Sequence, residues 1–248
     1  GSACDLTMGP IDPEAGAVLL VDKPATWTSF NVVAKLRGAL HKLCGHRVKV
    51  GHAGTLDPLA TGLLILGTGR MTKRLPELTA QDKEYIATLR LGQTTASYDA
   101  ETPVLEERPW EHITTADLQR VLTTFLGDTL QRPPDFSAKR FQGERGYNLV
   151  RWGEPVVMTP VPVRIDAIEL LALNGPEATL RVACGKGTYI RSLAHDIGQA
   201  LGCGAWLSGL RRTRSGAYSV DDALTVEQWS DWLDKWAAER QPTDTQKG

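Results

Sequence analysis

Between Gly51 and Gly62 the chain reads Gly-His-Ala-Gly-Thr-Leu-Asp-Pro-Leu-Ala-Thr-Gly, so one carboxylate, Asp57, stands among residues that mainly shape backbone. The proline after it steers Asp57 towards an extended conformation and away from a helix interior. Gly51, Gly54 and Gly62 admit backbone angles and close approaches that side chains would block. A carboxylate presented on such a loop has the chemistry of a nucleophile or a general base. Arg191 is a second candidate, because helical spacing places it in the first turn of a helix, where the backbone dipole disfavours a cation by roughly 0.3 to 1 kcal/mol. Either a compensating anion offsets that cost, or the side chain is exposed and solvent screens it. Tyr85 is a third, an aromatic ring with a hydroxyl on the apolar face of a strand. Gly67-Thr-Gly69-Arg-Met-Thr-Lys73 superficially suggests a phosphate loop, but no glycine precedes the lysine and Arg74 stands where Ser or Thr is required.

The elements that must position these residues follow from apolar periodicity. Val18 to Val21 is an apolar run that stops at the turn-like Asp22-Lys23-Pro24, and hence a strand. Thr28 or Ser29 caps a helix with Phe30, Val33, Leu36, Leu40 and Leu43 on one side. Leu63 to Leu66, between Gly62 and Gly67, reads as a buried strand that anchors the exit of the Asp57 loop. From Lys83 to Leu91 the pattern alternates, with Tyr85, Ala87, Leu89 and Leu91 sharing a face. Thr114 or Thr115 begins a helix through Leu118, Val121, Leu122 and Phe125, which ends at Gly127. Strands follow near 161–171 and 178–184. Ile190, Leu193, Ala194, Ile197 and Leu201 then form a continuous helical stripe after the potential cap Thr188, closed by Gly202. Trp229, Trp232 and Trp236 recur at helical spacing and read as a packing face. Strands scattered between helices predict an α+β domain around a mixed or antiparallel sheet flanked by helices.

The 248 residues, 42% hydrophobic and 23% charged, suit a soluble protein with a sizeable core. No apolar run approaches a membrane span and no secretory signal opens the chain, so a cytoplasmic protein with no membrane partner is expected. Residues 1–16 read as a flexible leader that begins with a Gly1-Ser2 tag scar, 17–240 as the catalytic domain, and 241–248 as a polar tail. Cys4, Cys44, Cys184 and Cys203 are scattered, with no spacing for zinc or a disulfide framework. The net charge of −1 announces no nucleic acid, but the charges are segregated. Lys35, Arg37, Lys42, Arg47 and Lys49 run without one acid; Arg132, Lys139, Arg140, Arg145 and Arg151 form a second cluster; Arg211, Arg212 and Arg214 form a third. Acids gather from Asp82 to Asp117 and after Asp221. Such segregation suits a basic face that tracks phosphates.

The Asp57 stretch closely resembles the signature of the TruB family of tRNA pseudouridine synthases. Four further segments carry the resemblance. Lys83-Glu84-Tyr85, leading into Leu89-Arg90-Leu91-Gly92, is similar to the family's Lys-x-Tyr strand. Gly185-Lys186-Gly187-Thr188-Tyr189-Ile190-Arg191 matches the segment with a pocket tyrosine and the arginine partner of the aspartate. Ser208-Gly209-Leu210-Arg211-Arg212 resembles the Leu-Arg-Arg near the active-site rim, and Ser137-Ala138-Lys139 with Gln142-Gly143 and Arg145 the insertion that clasps RNA, here about 128–155. Coverage runs from about Val18 to Leu224. Phe136 and Gly146-Tyr147-Asn148 depart from the family pattern in that insertion.

The resemblance implies a pseudouridine synthase fold and isomerisation of the T-loop uridine of tRNA, position 55, to pseudouridine, with no cofactor and no metal. It makes Asp57, Tyr85 and Arg191 the catalytic set, with Asp57 paired to Arg191. An arginine beside a carboxylate favours its ionised form, the form that attacks or accepts a proton. His52 would occupy the space a flipped base vacates, Tyr189 and Leu210 would line the pocket, and Lys73, Lys139 and Arg211 would touch phosphates. The partner would be tRNA, met by a monomer with no obligatory protein partner, and no additional C-terminal RNA-binding domain is expected. The rival readings are a noncatalytic RNA-binding or tRNA-folding module and a guide-RNA-dependent synthase.

Overall fold

The apolar run at Val18 opens the first strand of the computed structural model, which describes residues 11–134 and 159–240. In chain order the elements are β1 (Val18–Lys23), α1 (Ser29–Cys44), β2 (Val50–Ala53), β3 (Thr61–Thr68), a 3-10 turn (Gly69–Arg74) and α2 (Leu75–Thr79). Next come β4 (Lys83–Leu91), β5 (Gln93–Thr95), β6 (Val104–Glu107), α3 (Thr115–Thr123), β7 (Gly127–Gln131), β8 (Val161–Asn174), β9 (Glu177–Cys184) and α4 (Ile190–Leu201). The chain closes with β10 (Ala205–Ser215), β11 (Tyr218–Ser219), a 3-10 turn (Val220–Asp222), β12 (Leu224–Thr225) and α5 (Val226–Arg240). These elements form two compact units, residues 11–81 with 211–240, and 82–134 with 159–210. The architecture is α+β with a mixed, mostly antiparallel sheet, as the patterning predicts.

In the first unit β3 is central. β1 pairs with it antiparallel, Val18 opposite Gly67 through Lys23 opposite Gly62. β2 pairs antiparallel with the far end of β3, and the second half of β10 runs parallel beside its start, with Arg212 opposite Gly62. Leu63 to Leu66 are fully buried, which explains their unbroken apolar run. Gly62 has a φ of 108°, and a Cβ there would lie 2.2 Å from the Arg212 carbonyl oxygen, so no other residue fits this crossing of strands. Thr28 caps α1 in a reciprocal capping box with Asn31. The buried stripe of α1 runs through Ser29, Val32, Val33, Leu36, Ala39, Leu40 and Leu43. Phe30, expected among them, is instead 63% exposed; Ser29 takes the inward position in that turn because its hydroxyl bonds the backbone of Leu56. The tryptophans of α5 do pack: Trp229 is fully buried and its indole donates to the Leu20 carbonyl at 2.8 Å.

In the second unit β4, β9, β8 and β7 lie side by side in that order, each antiparallel to the next. The predicted face of β4, Tyr85, Ala87, Leu89 and Leu91, joins Ala178, Leu180, Val182 and Cys184 of β9 in the core, covered by Ile190, Leu193, Ala194 and Ile197 of α4 and by Leu118 and Leu122 of α3. Thr114 and Asp117 form the capping box that starts α3. The strands expected near 161–171 and 178–184 are β8 and β9, and α4 ends at Gly202 as its spacing predicts. β2, β7, β10, β11 and β12 are strands of the sheet that the sequence reading did not contain.

Candidate active site

Asp57 lies on the seven-residue connection between β2 and β3, and its neighbours on both sides are tied to buried groups. Arg212, 2% exposed, donates from Nη2 to the Gly54 carbonyl and from Nε to the Leu63 carbonyl, both at 2.9 Å. Leu56 and Ser29 exchange bonds, the Leu56 amide donating to Ser29 Oγ at 2.9 Å and the hydroxyl donating to the Leu56 carbonyl at 3.1 Å. On the other side Pro58 O accepts from the Thr26 amide at 2.7 Å and from Lys23 Nζ at 3.3 Å. Lys23 also donates to the carbonyls of Trp27 at 2.7 Å and Pro24 at 2.9 Å. Bonds from buried cations are worth about 1.5 to 3 kcal/mol each, so the loop backbone is clamped around Asp57, whose side chain is half-buried.

The electrostatics of the first unit centre on the same residues. Burial pushes the Lys23 ammonium down to about 8; the charge of Asp57 opposes that shift and the charge of Arg212 adds to it. His52, on β2, is half-buried, with Nδ1 sealed from solvent and without a hydrogen-bond partner among the described residues. Burial first, and Arg212 second, lower its pKa, so its ring is neutral at neutral pH. Arg211 makes a two-pronged pair with Asp22, at 3.0 and 2.9 Å, and the two line a cavity of about 700 Å³ together with Lys23, Trp27, Lys35 and Thr61. Lys73 is exposed on the 3-10 turn.

The second unit carries the other candidates. Thr188 does not cap α4; its hydroxyl donates to the Gly185 carbonyl at 2.9 Å and tightens the preceding turn. Tyr189 takes the cap position without a side-chain bond, and buried Gln131 holds its backbone from both sides, accepting from the Tyr189 amide at 2.7 Å and donating to its carbonyl at 2.9 Å. The Tyr189 side chain is thereby left exposed at a rigid helix entrance. Arg191 is 5% exposed, with Nη1 3.7 Å from Oδ2 of the buried Asp99. A buried anion therefore offsets the unfavourable helix start, and the exposed-arginine alternative is excluded. Tyr85 is buried in the core and Leu210, partly buried, packs against the same cluster. Lys139 and most of the expected insertion lie outside the described residues.

Residues 41–190 match the family model described as TruB family pseudouridylate synthase (N terminal domain), and residues 191–245 match the tRNA pseudouridylate synthase B C-terminal domain. The chain belongs to the TruB family. Proteins named tRNA pseudouridine synthase B are similar along most of their length: that of Phocaeicola vulgatus is 52% identical over 221 residues, 89% of this chain and 94% of the relative, and that of Parabacteroides distasonis is 51% identical over 222 residues with the same shares. Among solved structures, the archaeal box H/ACA sRNP Nop10-Cbf5 complex matches with a TM-score of 0.66 and 29% identity. That match takes in 92% of this chain and 56% of the longer archaeal one.

Within this TruB chain several structural partners escaped the sequence reading. Lys23 and Arg212 clamp the Asp57 loop, Asp99 meets Arg191, and Gln131 fixes Tyr189. Lys23 was visible only as part of a turn, Arg212 as one residue of a basic cluster and of a matched family segment, Asp99 as one acid in an acidic stretch, and Gln131 not at all. Among the described residues no group of three or more His, Cys, Asp or Glu is placed to hold a metal ion. The chemistry the described side chains offer is that of a carboxylate on a clamped loop, a neutral imidazole on the neighbouring strand, and a buried guanidinium and aromatic hydroxyl in the other unit.

Proposed function

We propose that this TruB chain isomerises a uridine of tRNA, position 55 in the T loop, to pseudouridine, with Asp57 as the essential carboxylate and no cofactor. The family models and the names of relatives that match over most of their length support the reaction class. The observation that carries the assignment to Asp57 is the clamping of its loop by Arg212, Ser29 and Lys23, which holds the carboxylate to a narrow range of positions before any substrate arrives. Isomerisation breaks the N1–C1′ bond, turns the uracil, forms a C5–C1′ bond, and moves one proton from C5 while N1 gains one. Atoms and electrons balance without an external donor. Attack on carbon and abstraction of a ribose proton both need the carboxylate that Asp57 supplies.

In this reading Arg191 pairs with Asp57, Tyr85 stacks on the flipped base, and Tyr189 and Leu210 line the pocket around it. His52 occupies the vacated space; its neutral ring enters a base stack without the cost of desolvating a charge. Lys73, Lys139 and Arg211 touch phosphates, Arg211 by exchanging or sharing its Asp22 partner. The chain acts as a monomer in the cytoplasm, without a guide RNA. The test is to incubate purified protein with unmodified tRNA transcript, free of nucleotide, metal and guide RNA, and to map the product. Wild type should form pseudouridine at position 55, and Asp57→Asn should form none while its tRNA affinity stays within about threefold, under 1 kcal/mol. Activity in Asp57→Asn would refute the role of the aspartate, and product at another position, or only with added guide RNA, would refute the substrate.

A further inference from the structure

The turn between β5 and β6 holds a conformation its own residues do not favour. Tyr98, with a φ of 66°, sits in the left-handed region that ring-bearing residues rarely enter. Around it the turn is laced together: Thr95 Oγ1 donates to the Asp99 carbonyl at 2.7 Å, and Ser97 Oγ and the Glu101 amide both donate to Asp99 Oδ1, at 2.6 and 2.9 Å. Those bonds occupy one carboxylate oxygen and leave the other, Oδ2, towards Arg191 Nη1 at 3.7 Å. At that separation the contact is an attraction of charges and not a directional hydrogen bond, so it does not by itself orient the guanidinium. Where the turn lies against α4 sets where that charge stands relative to the guanidinium.

The neighbouring residue supplies that registration. The Tyr98 ring lies flat on the His195 ring, with centroids 3.9 Å apart and planes 13° from parallel, and the Tyr98 carbonyl accepts from the Leu207 amide at 2.8 Å. His195 stands four residues after Arg191 on α4, on the same face and one turn along. Consecutive residues of the strained turn thus meet consecutive turns of the helix, Asp99 on Arg191 and Tyr98 on His195. The His195 ring is half-buried; its Nδ1 is sealed from solvent without a hydrogen-bond partner among the described residues, and burial disfavours its charged form. What it offers at this place is a flat uncharged surface.

We propose that the stack of Tyr98 on His195 is a positioning device: it holds the strained turn against α4 so that Asp99 sets the direction of the Arg191 guanidinium. His195 acts on the reaction through Arg191, without touching RNA, and this rests on the role proposed above for Arg191. His195→Phe keeps the flat surface and His195→Ala removes it. In the full chain His195→Ala should lower kcat for pseudouridine formation at least tenfold with KM within twofold, whereas His195→Phe should stay within threefold of wild type. Independently of activity, the Arg191 Nε–H resonance in the NMR spectrum should shift or broaden in His195→Ala and keep its wild-type position in His195→Phe. An unmoved resonance or a wild-type kcat in His195→Ala overturns the proposal, as does His195→Phe behaving like His195→Ala. A wild-type protein without synthase activity overturns the proposed function instead, and the Arg191 resonance then still decides whether the stack positions the arginine.

Discussion

A lysine with no place in the proposed chemistry sets the terms on which Asp57 is held. Lys23 is wholly buried and gives its three N–H bonds to the carbonyls of Pro24, Trp27 and Pro58. Its pKa of about 8 lies below the ordinary 10.5, so between those values the unfolded chain binds a proton that the folded chain has released. Stability owed to this residue therefore rises with pH across that window and is lost as pH falls back through about 8, with a slope of at most about 1.4 kcal/mol per pH unit. Urea unfolding of wild type and Lys23→Met from pH 7.5 to 9.5 should show the difference moving in favour of wild type as pH rises; a constant difference would mean that Lys23 titrates normally. Arg212 makes a parallel case. Arg212→Lys keeps the charge but not the fork that reaches both Gly54 and Leu63, and should cost roughly 1 to 3 kcal/mol in unfolding free energy. Because it loosens the loop and not the RNA surface, kcat should fall while KM stays near wild type. The place of Asp57 on a loop that leads into a buried strand could be read from its setting in the sequence. Lys23 and Arg212 could not, since the carbonyl that Arg212 holds is 158 positions away and carbonyls leave no mark in a sequence.

At the level of elements, legibility followed periodicity. β4, β9 and α4 were plain because an apolar face runs through each, Tyr85 to Leu91, Ala178 to Cys184 and Ile190 to Ile197, strong enough to show although β4 also buries Lys83 and α4 buries Arg191 and Ser192. β10 was invisible as a strand for the opposite reason. Its buried positions include Arg212 and Ser215, and a buried cation bonded to backbone breaks the two-residue alternation that a strand reading needs. The inward turn of α1 went to Ser29 and not Phe30 for a similar cause, a polar side chain engaged by backbone. The crossing of β3 and β10 carries a prediction of its own. Gly62→Ala places a methyl 2.2 Å from the Arg212 carbonyl oxygen at a φ of 108°, so the strands must part just where the Asp57 loop enters β3. We expect a loss of at least about 2 kcal/mol, seen as a lower urea midpoint. A midpoint within error of wild type would mean that the strands separate without cost.

Over the whole molecule the balanced net charge conceals segregated charge, and RNA affinity should report the segregation. For Asp57→Asn, the logarithm of the tRNA association constant should fall linearly with the logarithm of salt concentration, and replacing Lys35 and Lys42 together by alanine should flatten that slope by up to about 2, near 1 for each lysine that meets a phosphate. Stability, in contrast, should be limited by two histidines, one in each unit. Burial lowers the pKa of both His52 and His195 below the ordinary 6.5, with Arg212 adding to the shift at His52. For a group whose folded pKa is depressed, the unfolded state takes up protons first as the medium is acidified, so stability is complete above about 6.5 and drains away below it. The two histidines belong to different units, so their contributions should add. Urea midpoints at pH 7.5 and pH 5 should therefore drop most in wild type, less in His52→Gln or His195→Phe alone, and least in the double variant. An equal drop in all four would place the acid sensitivity outside these two histidines.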